Sequence, residues 1–171
     1  MKKQSNYAFI DSQNLNLGIR KLGWKLDYKK FRIYLKHKYK VTRAYLFIGY
    51  VPANQDLYSF LQSKGYVLIF KPTLLDKNGR VKGNVDADLV LQAMIDYKRY
   101  DKAILVTSDG DFYSLAKYLY SKGKLDKVMS PDIKNCSTLL KQSAKEKIVF
   151  MQNLRRKLEY KMKNTAKRRA A

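Results

Sequence analysis

Cysteine, histidine, acidic residues and long apolar runs are all scarce in this chain, and each scarcity removes a class of function. Cys136 is the only cysteine, so no intramolecular disulfide can form and a thiolate-built zinc site is excluded. It reads as a small apolar residue. His37 is the only histidine, which removes His-rich metal centres and two-histidine acid–base mechanisms. The lysines around it predict a solvated helix face. No stretch approaches the roughly 18 consecutive apolar residues of a membrane span, and the N-terminus lacks the apolar core of a signal peptide. A soluble, cytoplasmic protein with no membrane contact is expected.

The 14 acidic residues stand against 36 Lys and Arg, a formal net charge of +22 with a pI near 10.0. Such a surface gathers polyanions and steers them at low salt, so RNA or DNA is the expected partner. A length of 171 residues suits one domain with a tail. From Lys134 onward twelve basic residues face only Glu146 and Glu159. Residues 1–133 are therefore read as the domain. Residues 134–171 are read as a basic extension, partly helical, that packs on the domain and then frays.

Apolar, β-prone runs at Tyr7–Asp11, Thr42–Val51, Tyr66–Lys71, Lys102–Thr107 and Lys127–Ser130 predict strands. Between them, helical spacing predicts helices over Asn14–Leu22, Tyr28–Tyr39, Asn54–Lys64, Asp86–Tyr97 and Asp111–Ser121. In Tyr28–Tyr39 the spaced residues are Phe31, Tyr34, Leu35 and Lys38. Asp76-Lys77-Asn78-Gly79 carries a tight-turn signal and reads as a surface flap. Ile148, Val149 and Phe150 suit either an edge strand or the start of a terminal helix. The alternation predicts an α/β fold: a three-layer α/β/α arrangement with a central parallel sheet of about five strands and helices on both faces.

Five of the fourteen acids, Asp11, Asp86, Asp88, Asp109 and Asp111, fall in three short segments. Asp11 and Asp109 each follow a buried strand, which puts them at one edge of a parallel sheet, where open α/β sheets bind ligands. Like charges at close range repel unless a cation lies between them, and oxygen donors suit Mg²⁺ or Mn²⁺. A metal site is the favoured reading. In Ser108-Asp109-Gly110-Asp111 the glycine is expected to permit a sharp turn. Asp111 is explained equally well as a helix N-cap, and Asp86 and Asp88 as first-turn acids that complement a helix dipole.

Three segments, in this order and spacing, resemble the NYN domain family, the LabA-like proteins of the PIN-like nuclease superfamily. They are Phe9-Ile10-Asp11-Ser12-Gln13-Asn14-Leu15, Lys82-Gly83-Asn84-Val85-Asp86-Ala87-Asp88-Leu89 and Leu105-Val106-Thr107-Ser108-Asp109-Gly110-Asp111-Phe112. The resemblance runs from about Tyr7 to Pro131. It implies a PIN-like, Rossmannoid α/β/α domain and a divalent-metal-dependent endoribonuclease that hydrolyses RNA. Asp11, Asp86, Asp109 and Asp111 match the family's acidic ligands, with Asp88 a fifth, and Asn14 and Ser108 are the supporting polar residues. Ser12 departs from the pattern, standing where the family more often has glycine. The implied cofactor is Mg²⁺ or Mn²⁺, and the implied partner is single-stranded or structured RNA.

Lys71, Lys82, Lys117, Arg155 and Arg156 are the candidate RNA contacts. Tyr97, Tyr100, Tyr113, Tyr118 and Tyr120 suit either a half-buried surface or a stacking platform. An exposed edge strand could support a homodimer. A non-catalytic RNA-binding module of the same fold is the alternative reading. A phosphatase is the third, but it lacks a glycine-rich phosphate loop and a matched nucleophile motif.

Overall fold

The computed structural model describes residues 3–71, 74–75, 81–82 and 85–162, with the backbone alone at 74–75, 81–82 and 85. In chain order the elements are β1 (Asn6–Asp11), α1 (Ser12–Lys21), α2 (Tyr28–Tyr39), β2 (Val41–Gly49), α3 (Gln55–Ser63) and β3 (Tyr66–Lys71). There follow β4 (Leu74–Leu75), β5 (Val81–Lys82), α4 (Val85–Ile95), β6 (Ala103–Val106), α5 (Tyr113–Ser121) and β7 (Leu125–Ser130). The last are α6 (Thr138–Ala144), β8 (Ile148–Phe150) and α7 (Arg155–Leu158). β4 and β5 form a two-residue antiparallel ladder, and the predicted turn at 76–79 lies outside the described residues.

Six strands, in the order β3-β2-β1-β6-β7-β8, make one sheet in which every neighbouring pair is parallel. About five were expected. The sixth is β8, whose residues pair with Val128–Ser130 of β7. Its β-branched Ile148 and Val149 fit a pleated edge better than a helix start.

Side chains alternate across the sheet and build two cores. Tyr7, Phe9, Tyr45, Phe47 and Leu105 pack with residues of α4, α5 and α6 on one face. Ala8, Ile10, Ala44, Leu46 and Val106 pack with residues of α1, α2, α3 and α7 on the other. Because β1 is buried on both faces throughout, it reads as an unbroken apolar run. In α2 the buried stripe is Phe31, Leu35 and Tyr39, while Lys38, one of the residues at the expected spacing, faces solvent. Cys136 is buried and His37 exposed. Tyr100 is a core residue whose hydroxyl donates to the Ala93 carbonyl at 3.0 Å, so it offers no stacking face. No helix among the described residues is long and apolar enough to cross a membrane.

From β1 the chain builds outward to β2 and β3, then returns to add β6 on the other side of β1. The strand order therefore reverses between β1 and β6, and their carboxyl ends flank the crevice of a doubly wound sheet.

Gly18 sets the seat of α1. A Cβ at this position would lie 2.6 Å from Pro131 Cβ, just beyond the end of β7. Replacing a helical glycine by alanine ordinarily gains about 1 kcal/mol. Here overpacking against a rigid proline reverses the sign, and Gly18→Ala is expected to lose about 1 kcal/mol net, or about 2–4 °C in Tm. A thermal melt followed by circular dichroism checks this, and a raised Tm would contradict the packing.

Candidate active site

Asp11 is the last residue of β1 and also the N-cap of α1, its Oδ1 accepting the Asn14 N–H at 3.1 Å. Asn14, one turn into α1, reaches across to the loop after β6. Its Oδ1 accepts both the Ser108 N–H (2.9 Å) and the Ser108 hydroxyl (2.8 Å). One amide thus clamps the segments that carry Asp11 and Asp109. Thr107 Oγ1 accepts the Asp109 N–H at 3.1 Å, and Asp109 Oδ1 accepts the Asp111 N–H at 2.9 Å.

One local expectation is corrected. Asp109, not Asp111, caps the turn after β6, and residues 110–112 form a single 3₁₀ turn before α5 begins at Tyr113. Gly110 opens that turn without a left-handed conformation. Ser137 passes close by: a Cβ at 110 would lie 2.5 Å from Ser137 Oγ, so that hydroxyl would have to move, and the Ser137 N–H donates to the Ser108 carbonyl at 3.0 Å.

Asp86, in the first turn of α4, joins Asp109 and Asp111 from the other side of the crevice. One carboxylate oxygen from each lies within 4.8 Å of the others. Asp11 is only 6 % exposed beside them. Burial pushes its pKa up, and so do the Asp86 and Asp109 charges, against the Asn14 N–H and Lys71, which lower it. Asp86 is likewise raised, by burial first and then by Asp109 and Asp111, with Lys71 opposing. The Lys71 ammonium is lowered by burial and sustained by Asp86, Asp11 and Asp88. Among the described residues no histidine or thiolate joins these three carboxylates, and a set of hard oxygen donors fits a Mg²⁺- or Mn²⁺-type cation.

Not every predicted residue converges. Asp88 lies outside the three-carboxylate group and acts on Lys71. Lys117 lines a separate cleft between α5 and α6, with Tyr113 and Tyr120. Arg155 holds Glu159 at 2.9 Å, and Arg156 is exposed on α7. The Lys82 side chain lies outside the described residues. Ser12, the departure from the family pattern, is buried next to Tyr28. The Asn14–Ser108 clamp and the Ser137 contact have no signal in the sequence beyond polar residues near the acids.

A family model described as the NYN domain matches residues 7–152. No curated protein matches the sequence. Among solved structures, the chain is similar to a protein of unknown function from Vibrio parahaemolyticus, with a TM-score of 0.76 and 22 % identity. That alignment covers 94 % of this chain and all of the other. At this identity the likeness concerns the fold.

The raised carboxyls have a definite linkage sign. Between the ordinary carboxyl pKa of 3.8 and the higher folded value of Asp11, the folded state binds more protons than the unfolded chain. Stability therefore falls as pH rises through the folded pKa, and the cost is fully present above it. In chelator, Asp11→Asn is expected to be more stable than wild type near neutrality, an advantage that shrinks as pH falls toward 3.8. The amide oxygen can still accept the Asn14 N–H. Paired thermal melts across this range check it. A variant less stable at neutral pH, with a deficit that shrinks as pH falls, would make Asp11 a structural ion-pair partner.

Proposed function

The chain belongs to the NYN domain family of the PIN-like nuclease superfamily, and from that premise we propose that it is a divalent-metal-dependent endoribonuclease acting at the β1–β6 crevice. The observation that carries this reading is the approach of Asp86, Asp109 and Asp111 to within 4.8 Å of one another beside a buried Asp11. Acids are scarce in this +22 chain, yet they gather where Asp11 and Asp86 are raised by burial and by their acidic neighbours.

Asp86, Asp109 and Asp111 would hold the ion, with Asp11 as a further ligand. When bound, Mg²⁺ or Mn²⁺ supplies Lewis-acid polarisation of the phosphate and makes a water more acidic. The protein's own contribution is position. Asn14 and Ser108 keep the Asp11 and Asp109 segments at a fixed separation, so the ligand set is preorganised rather than assembled on binding. Lys71 places a positive charge beside the carboxylates, where it can meet a phosphate oxygen while Asp88 helps to keep it protonated. The strongly basic surface gathers the polyanion and brings it to an acidic pocket that would otherwise repel it. Arg156 and the basic segment around it would add electrostatic anchoring.

Incubation of the purified chain with labelled single-stranded RNA, hairpin RNA and DNA, in Mn²⁺ or in chelator, tests the reading. Internal cleavage of RNA is expected in Mn²⁺, with none in chelator. Asp109→Asn is expected to reduce the rate at least about a hundredfold, since substitutions one step removed from a metal already cost 10–100-fold. Cutting that persists in chelator would contradict the mechanism. RNA bound with a steep salt dependence but never cut would support the non-catalytic binding module instead.

A further inference from the structure

The aspartates occupy only part of the sheet's carboxyl edge. On the β2 side of Asp11 a cleft of about 660 Å³ opens between α1, the end of β2 and the start of α3. Its size lies within the roughly 300–1,000 Å³ usual for small-molecule sites. One wall is a single face of α1, Ser12, Asn16 and Arg20, beginning one residue after Asp11. The facing wall is the turn Gly49-Tyr50-Val51. Among the described residues no acid lines the cleft, although Asp11 immediately precedes Ser12 in its wall.

Tyr50 is the unusual element. It is 40 % exposed yet firmly seated. Its ring stacks on Tyr58 (6.0 Å between centroids, 25° between planes) and meets Phe70 edge-on (5.6 Å, 90°). Its hydroxyl accepts from the Gln55 amide at 3.1 Å. The turn itself is pinned by the Tyr58 hydroxyl, which accepts the Val51 N–H at 2.7 Å and donates to the Gly49 carbonyl at 3.2 Å. An aromatic ring held this way loses little conformational freedom when a ligand stacks on it. In the same cleft, the exposed Asn16 and Gln13 amides each offer both donors and acceptors, the complement of a base edge. Arg20 adds a guanidinium suited to phosphate.

We propose that this cleft is a nucleobase subsite. It takes an unpaired base of the RNA strand next to the scissile phosphate, with the base stacked on Tyr50, its edge met by Asn16 and Gln13, and the adjoining phosphate by Arg20. The proposal rests on the nuclease reading for the course of the strand, but base binding is measurable without cleavage. It makes the enzyme selective for unpaired RNA, because a base within a duplex cannot enter the cleft.

The test is fluorescence anisotropy in chelator, using the full chain and a 5′-labelled oligouridylate, with a matched strand in which the bases are replaced by abasic sites. Tyr50→Ala is expected to weaken binding of the base-bearing strand about tenfold, the scale of one lost stacking contact, and to leave the abasic strand unaffected. Tyr50→Phe is expected to bind like wild type. Should Tyr50→Ala fail to fold, Asn16→Ala at an exposed helix position carries the test, with a several-fold loss expected on the base-bearing strand alone. Equal binding of that strand by wild type and variant, or an equal loss on both strands, would overturn the subsite. Cleavage in Mn²⁺ with no Tyr50 dependence of affinity would overturn it while leaving the nuclease reading intact. Tyr50-dependent binding without cleavage would support it and overturn the nuclease reading.

Discussion

The pairing of β1 with β6 is the contact on which the rest of the molecule depends. Phe9 lies opposite Leu105 and Ile10 opposite Val106, and all four residues are buried. A slip of one residue would send Phe9 or Leu105 into the core on the wrong face of the sheet, so the register is held by both cores at once. Whatever follows the two strands is then carried to the same edge. Asp11 follows directly, and Asp109 comes three residues after β6, with Asn14 and Ser108 joining the two segments by a pair of hydrogen bonds. The precision of the crevice thus comes from strand register and one amide, not from the loops themselves.

The acids of this protein divide into two kinds. Asp96 is fully buried and yet has its pKa lowered, because the Tyr45 hydroxyl, the Gln92 amide and Arg99 all bond its carboxylate. It is a satisfied structural charge. Asp11 and Asp86 are raised, since burial and like neighbours outweigh the help they receive from Asn14 and Lys71. The fold holds these carboxylates together against their own repulsion, and a divalent cation is what would relieve it. Even in a +22 chain an acidic pocket persists, because Asp11, Asp86, Asp109 and Asp111 gather where the sheet order reverses and Lys71 offsets only part of their charge.

The α/β/α architecture was legible because it is local. Strands buried on both faces read as apolar runs, and the helices between them have caps and stops that can be named. β8 was harder, because three β-prone residues after a lysine-rich stretch become a strand only when β7 offers them an edge. The neighbour of Gly110 was hidden for a related reason. Its local sequence suggests a turn, but the close approach of Ser137, twenty-seven positions later, has no local signal. Tyr50 carries no mark in the sequence that separates it from the buried tyrosines. Only the packing of Tyr58 and Phe70 shows that its ring is both exposed and fixed.

The central claim is that the crevice holds a hard divalent ion, and anomalous diffraction from crystals of the full chain soaked in Mn²⁺ tests it most directly. The account predicts an anomalous peak bonded by oxygens of Asp86, Asp109 and Asp111, with Asp11 alongside. Crystals in which Mn²⁺ binds elsewhere, while these carboxylates remain without an ion, would contradict it.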